Sequence, residues 1–181
     1  MFDKITIIGA GYVGFSLAVL FSQEKEVTLF DIDTSKLRMI DNNKSPIRDQ
    51  RIEEFLVQKE LHLKTSDDLA EAIVGRDLIV LALPTNFNES SQFFDTSQID
   101  LVISKIIQKN TSTPILIKST VPQGYTKRLQ AQYPNVPIIF SPEFLREGSA
   151  LEDNLNPHRI IVGNTEPLGL KIAELFTSFA L

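Results

Sequence analysis

The sequence contains no cysteine. This absence excludes a disulfide framework, a thiolate metal site and any thiol nucleophile supplied by these residues. The two histidines, His62 and His158, are isolated, and no other ligand lies at a useful spacing from either, so we predict no metal site. No apolar run approaches the length of a membrane span or of the apolar part of a signal peptide. We therefore expect a cytoplasmic protein that has no membrane partner.

Positive charge is also scarce, with 18 Lys and Arg against 23 Asp and Glu and a formal net charge of −5. A nucleic-acid partner is not expected, because binding to a duplex requires clustered basic residues. Any anionic ligand must therefore be held by local groups. The 181 residues, 43% of them hydrophobic, are enough to bury a core without disulfides, and we predict one domain over residues 1–181.

Short β-branched or aliphatic runs alternate with stretches of helical periodicity along the whole chain. Strands are predicted at 4–8, 27–31, 61–65, 78–83, 115–118, 138–140 and 159–162. Helices are predicted at 12–23, 35–42, 51–60, 67–74, 98–108, 123–132 and 167–179. Residues 85–96 are polar with three interspersed Phe, and we interpret them as a loop at a ligand edge. The alternation predicts an α/β fold, a Rossmann-type doubly wound, mainly parallel sheet with helices on both faces.

The first strand and the first helix are joined by the glycine motif Gly9-Ala10-Gly11-Tyr12-Val13-Gly14. Three glycines at this spacing occur by chance, but this placement between strand and helix is the one that dinucleotide binding requires. Gly9 would allow the tight turn, Gly11 the approach of the pyrophosphate, and Gly14 the close packing of helix on strand. The helix N-terminus would then meet the phosphates. The alternative is that the three glycines form only a turn.

Asp31 ends the second predicted strand, seventeen positions after Gly14. An acidic residue at about this distance accepts hydrogen bonds from the ribose hydroxyls of NAD and repels the 2′-phosphate of NADP. No arginine follows immediately to reverse that preference. We therefore predict NAD as the cofactor, with a solvated surface carboxylate as the alternative for Asp31.

Further candidates follow the carboxyl ends of other predicted strands, where ligands bind in open α/β sheets. They are Thr85, Thr120 and Glu143. A plain turn would equally explain Thr85, and a helix cap would explain Thr120. Glu143 and Glu147 are four residues apart, so on a helical turn they would share a face and could do acid–base work, although a solvated helix face is the commoner outcome.

Three longer motifs accompany the glycine motif and extend the pattern over nearly the whole chain. They are Leu83-Pro84-Thr85-Asn86, Lys118-Ser119-Thr120-Val121-Pro122-Gln123-Gly124 and Ser141-Pro142-Glu143-Phe144-Leu145-Arg146-Glu147-Gly148. Together they strongly resemble the UDP-glucose/GDP-mannose dehydrogenase family, in the branch that oxidises UDP-glucose. The last motif is the most specific. The resemblance covers only the N-terminal NAD-binding part of such enzymes.

The resemblance also implies roles for individual residues. Contacts with NAD are implied for Gly11, Tyr12, Val13, Asp31, Lys36, Thr85, Thr120 and Glu147. Contacts with the sugar nucleotide are implied for Glu143, Phe144 and Leu145. Catalytic roles are implied for Thr120 and Glu143, which would help to position or activate water. For Lys36 a solvated lysine at a helix start remains the alternative.

Enzymes of the UDP-glucose branch oxidise UDP-glucose to UDP-glucuronate with two NAD, by way of a cysteine thioester. The resemblance implies that the nucleophilic cysteine, an oxyanion-binding lysine, a helical middle domain and a second nucleotide-binding domain lie beyond these 181 residues. We expect the chain alone to be inactive and the full-length enzyme to be a homodimer with a UDP-sugar substrate. The alternatives are a 6-dehydrogenase of GDP-mannose or another nucleotide sugar, and an NAD-binding module without catalysis.

Overall fold

A computed structural model describes residues 2–88, 93–109 and 112–181. Its strands are β1 (Lys4–Ile8), β2 (Glu26–Phe30), β3 (Leu63–Ser66), β4 (Leu78–Leu81), β5 (Phe87–Asn88), β6 (Phe93–Phe94), β7 (Ile115–Ile117) and β8 (Ile138–Phe140). Six of them form one sheet in the order β3-β2-β1-β4-β7-β8, and every neighbouring pair is parallel. The order reverses direction between β1 and β4, which is the crevice where Rossmann folds bind dinucleotides. The predicted fold class is confirmed.

Eight helices cover the two faces of this sheet in the described part of the chain. They are α1 (Tyr12–Phe21), α2 (Thr34–Asp41), α3 (Gln50–Gln58), α4 (Leu69–Ile73), α5 (Ser97–Lys109), α6 (Tyr125–Gln132), α7 (Ala150–Leu155) and α8 (Pro167–Thr177). One apolar core packs α1, α3, α7 and α8 against the sheet, and a second packs α4, α5 and α6 against the opposite face. In β4 all four side chains are buried, because both faces are covered by helices. None of the described helices is long and apolar enough to cross a membrane.

Two local predictions are wrong, and one helix was not predicted. Residues 159–162 form no strand, although Gly163 N donates a 2.8 Å hydrogen bond to the Phe140 carbonyl beside them. The predicted loop 85–96 contains the antiparallel pair β5 and β6, whose Phe87 and Phe94 rings pack edge to face at 5.3 Å; its residues 89–92 lie outside the described residues. Helix α7 was not predicted, because its six residues are too short to show a helical period.

The N-terminus of α7 is fixed by a residue far away in the sequence, Asp49. One Asp49 carboxylate oxygen accepts the N–H of Ile52 at 3.2 Å, which caps α3, and the other accepts the N–H of Leu151 at 3.1 Å. The Asp49 side chain is buried, and no α7 side chain provides a cap of its own. One carboxylate therefore joins two helices and fixes the end of the segment 141–149 that precedes α7.

We expect the Asp49→Ala substitution to destabilise the chain by about 1 kcal/mol for each of the two lost caps. Two buried N–H groups would lose their acceptor, which adds to this cost. The matched control is Asp49→Asn, which keeps one acceptor oxygen and should lose less. Urea unfolding of the three proteins measures the difference, and equal midpoints for Asp49→Ala and the unmodified chain would contradict this role.

Candidate functional site: a dinucleotide cleft with a second cavity at one end

The glycine motif forms the turn between β1 and α1, and its geometry explains two of the three glycines as packing requirements. Gly9 has a φ of 108°, which favours glycine, and a Cβ there would collide with the carbonyl oxygen of Ala82. A Cβ on Gly14 would collide with the carbonyl oxygen of Gly9. Gly14 therefore allows α1 to pack against the turn and does not itself line the cleft described next.

Gly11 has a different role, because nothing outside its own stretch of backbone lies within 4 Å of the position where its Cβ would be. It is the N-cap residue of α1, and no side chain caps this end of the helix. The first N–H groups of α1 therefore face open space at the positive end of a helix. This is the arrangement that binds a pyrophosphate.

Above this turn lies a cleft of about 1090 Å³ at the carboxyl ends of β1, β2, β4 and β7. Its lining includes all the predicted cofactor residues except Gly14 and Glu147. These are Gly9, Gly11, Tyr12, Val13, Asp31, Lys36, Thr85 and Thr120. The space is large enough for a dinucleotide, which exceeds most single ligands in size. The residues present therefore fit NAD in shape and in phosphate chemistry.

Asp31 lies at the end of β2 with both carboxylate oxygens engaged. Oδ2 accepts the N–H of Ala10 at 2.6 Å, and Oδ1 accepts the N–H of Asp33 at 2.9 Å. Asp31 thus fixes the glycine turn relative to β2. Each oxygen still has a lone pair for a ribose hydroxyl, since a carboxylate offers about four acceptor positions.

Two further carboxylates line the cleft near Asp31, and sequence reasoning missed both. Asp33 caps α2 by accepting the N–H groups of Ser35 and Lys36, and the Ser35 hydroxyl is the main cause that lowers the pKa of Asp33. Asp67 follows β3 and lines the same cleft. Three acidic side chains at this end disfavour a 2′-phosphate. Asp33 and Asp67 could have been recognised in the sequence, because each follows shortly after the end of a strand.

We expect the Asp31→Ala substitution to raise the Kd for NAD by roughly one to two orders of magnitude. This corresponds to the loss of charge-assisted hydrogen bonds worth about 1.5 to 3 kcal/mol. Asp31→Asn is the matched variant and should fall in between, because the amide keeps one acceptor oxygen but not the charge. Calorimetry measures both, and thermal unfolding checks that the variants are folded. If the Asp31→Ala chain bound NAD as tightly as the unmodified chain, the assignment of Asp31 to the ribose hydroxyls would be wrong.

The apolar part of the cleft was also missed. Ile32 follows Asp31 directly and is 86% exposed, and Leu101 on the outer side of α5 is 54% exposed. Both line the cleft together with Leu69 and Val102. Apolar side chains exposed at a cleft suit a flat aromatic ring such as adenine. Leu69, Leu101 and Val102 could not be identified from the sequence, because their position at the cleft depends on how α4 and α5 pack.

A second, smaller cavity of about 290 Å³ lies beside the cleft, between the segment 141–146 and the residues 153–161. Phe144 and Leu145, predicted to contact the sugar nucleotide, line this cavity and not the cleft. Two residues, Lys118 and Glu143, line both. Glu143 is therefore at the boundary between the cofactor cleft and the second cavity.

The segment 141–146 is not helical, so the condition under which Glu143 and Glu147 would share a helical face is not met. Instead the segment is anchored by Arg146, whose guanidinium lies 2.6 Å from the Asp153 carboxylate. The backbone N–H of Arg146 donates to the same carboxylate at 2.8 Å. Glu147 is exposed in the turn that follows and lines neither cavity. Its contact with the cofactor stays a prediction.

Lys118, at the end of β7, is buried beneath Glu143. Its Nζ donates to the Pro142 carbonyl oxygen at 3.0 Å and to the Ser141 hydroxyl at 3.4 Å. Burial lowers the pKa of Lys118 from 10.5 to about 8, and the Glu143 carboxylate partly opposes this shift. Sequence reasoning included Lys118 only as a letter in a motif and gave it no role.

Comparison with known proteins agrees with this geometry. A model of the UDP-glucose/GDP-mannose dehydrogenase family, NAD binding domain, matches residues 3–180. The chain belongs to this family. NAD is accordingly the cofactor of its dinucleotide cleft, and the chain is part of an oxidoreductase family.

Two relatives with similar sequences are UDP-glucose 6-dehydrogenases. The protein from Campylobacter jejuni is 48% identical over 175 residues, which are 96% of this chain and 44% of that protein. The protein from Streptococcus pneumoniae is 48% identical over 160 residues, which are 88% of this chain and 41% of that protein. The chain thus spans less than half the length of these relatives.

Among solved structures, a UDP-glucose dehydrogenase from Pyrobaculum islandicum superposes with a TM-score of 0.83 at 25% identity. The match covers 98% of this chain and 44% of that one. A GDP-mannose dehydrogenase from Pseudomonas aeruginosa gives the same TM-score at 24% identity over 97% of this chain and 44% of that one. The second similarity establishes the fold alone.

Proposed function

We propose that the chain is the NAD-binding domain of a UDP-glucose 6-dehydrogenase that oxidises UDP-glucose to UDP-glucuronate with two NAD. The observation that carries the proposal is the position of Glu143, which lines both the cofactor cleft and the second cavity. A module that only binds NAD would need the cleft but not the second cavity. The similarity to two UDP-glucose 6-dehydrogenases supports the choice of substrate.

The sugar nucleotide reaches the cofactor by way of the second cavity in this proposal. Phe144 and Leu145 line that cavity, and the Arg159 guanidinium stacks over the Phe144 ring at 3.9 Å. Together they offer an apolar surface and a positive charge, which suit a sugar carrying a diphosphate. Bound NAD supplies the acceptor for the hydride that leaves carbon 6 of the sugar.

Glu143 and Thr120 supply the proton chemistry. The Thr120 side chain is exposed in the cleft, where its hydroxyl can hold a water. The carboxylate of Glu143 accepts a proton from that water, or relays one from the sugar hydroxyl. The chain has no cysteine, so the thiol of the thioester route comes from outside these residues.

The experiment that tests the proposal is turnover of a panel of UDP- and GDP-sugars by a chain extended with the segments that the relatives have beyond this domain. NADH absorbance follows the reaction, and we expect UDP-glucose to be oxidised with two NADH per sugar. Preference for GDP-mannose or for an N-acetylated UDP-sugar would overturn the substrate assignment. Binding of NAD without turnover of any sugar would favour the non-catalytic module.

A further inference from the structure

Lys118 is a buried cation for which the mechanism above has no use. It is 6% exposed, and burial of a lysine is costly unless its ammonium group is well partnered. Of the described residues, only Lys118 and Glu143 line both the cofactor cleft and the second cavity. A buried charge at the boundary of two ligand spaces calls for an explanation beyond packing.

The contacts of the Lys118 ammonium group are with the segment that leads into Glu143 and with α8. Its Nζ donates to the Pro142 carbonyl and to the Ser141 hydroxyl, the two residues that precede Glu143. Behind it, the Phe176 ring of α8 lies 5.0 Å from Nζ and contributes a cation–π contact. The ammonium group thus connects the end of β7 to the segment that leads into Glu143.

The position of Glu143 depends on how the segment 141–146 is held at its two ends. No hydrogen bond or ion pair of the Glu143 carboxylate is found among the described residues, and this carboxylate is the one charge that acts appreciably on Lys118. Arg146 anchors the far end of the segment through Asp153. At the near end, the Ser141 N–H donates to the Ile117 carbonyl oxygen at 3.0 Å, and Lys118 adds the hydrogen bonds to the Ser141 hydroxyl and the Pro142 carbonyl oxygen.

We propose that Lys118 is a positioning residue, which fixes the backbone at Ser141 and Pro142 so that the Glu143 carboxylate stays at the boundary between cofactor and substrate. The idea rests on the proposed function, because it assumes that Glu143 takes part in the reaction. A shift of about 1 Å in a reacting group can cost up to roughly 10²-fold in rate. The Lys118 side chain thus acts through Glu143 and not on the substrate.

The first test uses the 181-residue chain and needs no turnover. Carbon-13 labelling of the lysine ε-carbons allows NMR to follow the titration of Lys118, which we expect to have a pKa near 8. The Glu143→Gln substitution should lower this pKa further, because the carboxylate that favours the ammonium form is lost. The other ionisable groups that line the cavity beside Lys118 are Arg146, Asp153, His158 and Arg159. Glu152 does not line this cavity, so Glu152→Gln is the control variant and should leave the pKa of Lys118 unchanged. An unchanged pKa in Glu143→Gln would overturn the coupling.

The second test uses the extended, active chain and the variant Lys118→Met, which keeps the apolar stem but removes the charge and the donors. We expect kcat to fall roughly 10- to 100-fold while KM for NAD changes far less. Lys127→Met, on the exposed side of α6, is the matched control and should keep full activity. Unchanged kcat in Lys118→Met would overturn the proposal.

The two tests separate the failure of this proposal from failure of the proposed function. If the unmodified extended chain oxidises no nucleotide sugar, the proposed function fails and the role of Lys118 in turnover fails with it, whatever the NMR titration gives. If the unmodified chain is active but Lys118→Met matches it, only the positioning role fails. If Lys118→Met does not fold, the NMR titration of the unmodified chain and of Glu143→Gln decides.

Discussion

Replacing Glu143 by Gln in a chain extended with the relatives' further segments is expected to lower kcat by roughly 10²- to 10⁴-fold. This is the usual loss when a general acid or base is removed. Gln has nearly the same shape but cannot accept a proton at neutral pH. Because Glu143 follows the edge strand β8, and β4 and β7 lie between β8 and the strands that lead to the glycine turn and Asp31, the Kd for NAD should change little.

Thr120→Ala is the companion variant and should also lower kcat, because the hydroxyl that is proposed to hold the water is lost. Glu174→Gln, on the exposed side of α8, is the matched control and should keep full activity. Steady-state kinetics across pH measures all three, since loss of a base also changes the pH profile. A Glu143→Gln enzyme with unchanged kcat and pH profile would return Glu143 to the solvated-side-chain interpretation.

The second large effect is an absence of turnover. We expect residues 1–181 alone to produce no NADH from UDP-glucose, even at saturating NAD and substrate. Oxidation of an aldehyde by the thioester route requires a thiolate that adds to the carbonyl, and the chain has no cysteine. The first step, from alcohol to aldehyde, requires a sugar held at near-attack distance from the cofactor. The second cavity, with about 290 Å³, is too small to enclose a whole sugar nucleotide.

NADH absorbance at high protein concentration measures this directly. Calorimetry on the same sample should detect NAD binding, which separates an inactive folded domain from an unfolded chain. Sustained formation of two NADH per UDP-glucose by residues 1–181 would show that the thioester route, or the need for a further nucleophile, is wrong.

The cofactor part of the site could be predicted from the sequence because its determinants are local. The glycine turn, the strand before it and the helix after it occupy 18 consecutive residues from Lys4 to Phe21. Asp31 directly follows the next strand, β2. Since parallel strands bring their carboxyl ends to one edge, Thr85 and Thr120 could also be placed at that edge.

The substrate side could not be predicted equally well, because its geometry depends on distant contacts. Asp49 caps α7 from 102 positions away, and Asn154 of α7 donates to Ser16 of α1 from 138 positions away. These hydrogen bonds fix α7 and therefore the end of the segment 141–149 that precedes it. A spacing of four between Glu143 and Glu147 indicates a helical face only if the segment is a helix, and it is not. The role of Lys118 was equally invisible, because burial of a strand-end lysine follows from the packing of α8.

Calorimetric titration of residues 1–181 with NAD and with NADP tests the central claim most directly. The cleft with Asp31, Asp33 and Asp67 at its ribose end predicts that NAD binds and that NADP binds at least about tenfold more weakly, because a 2′-phosphate would meet three carboxylates. Equal affinity for the two cofactors, or no binding of NAD to a folded chain, would contradict the account of this cleft.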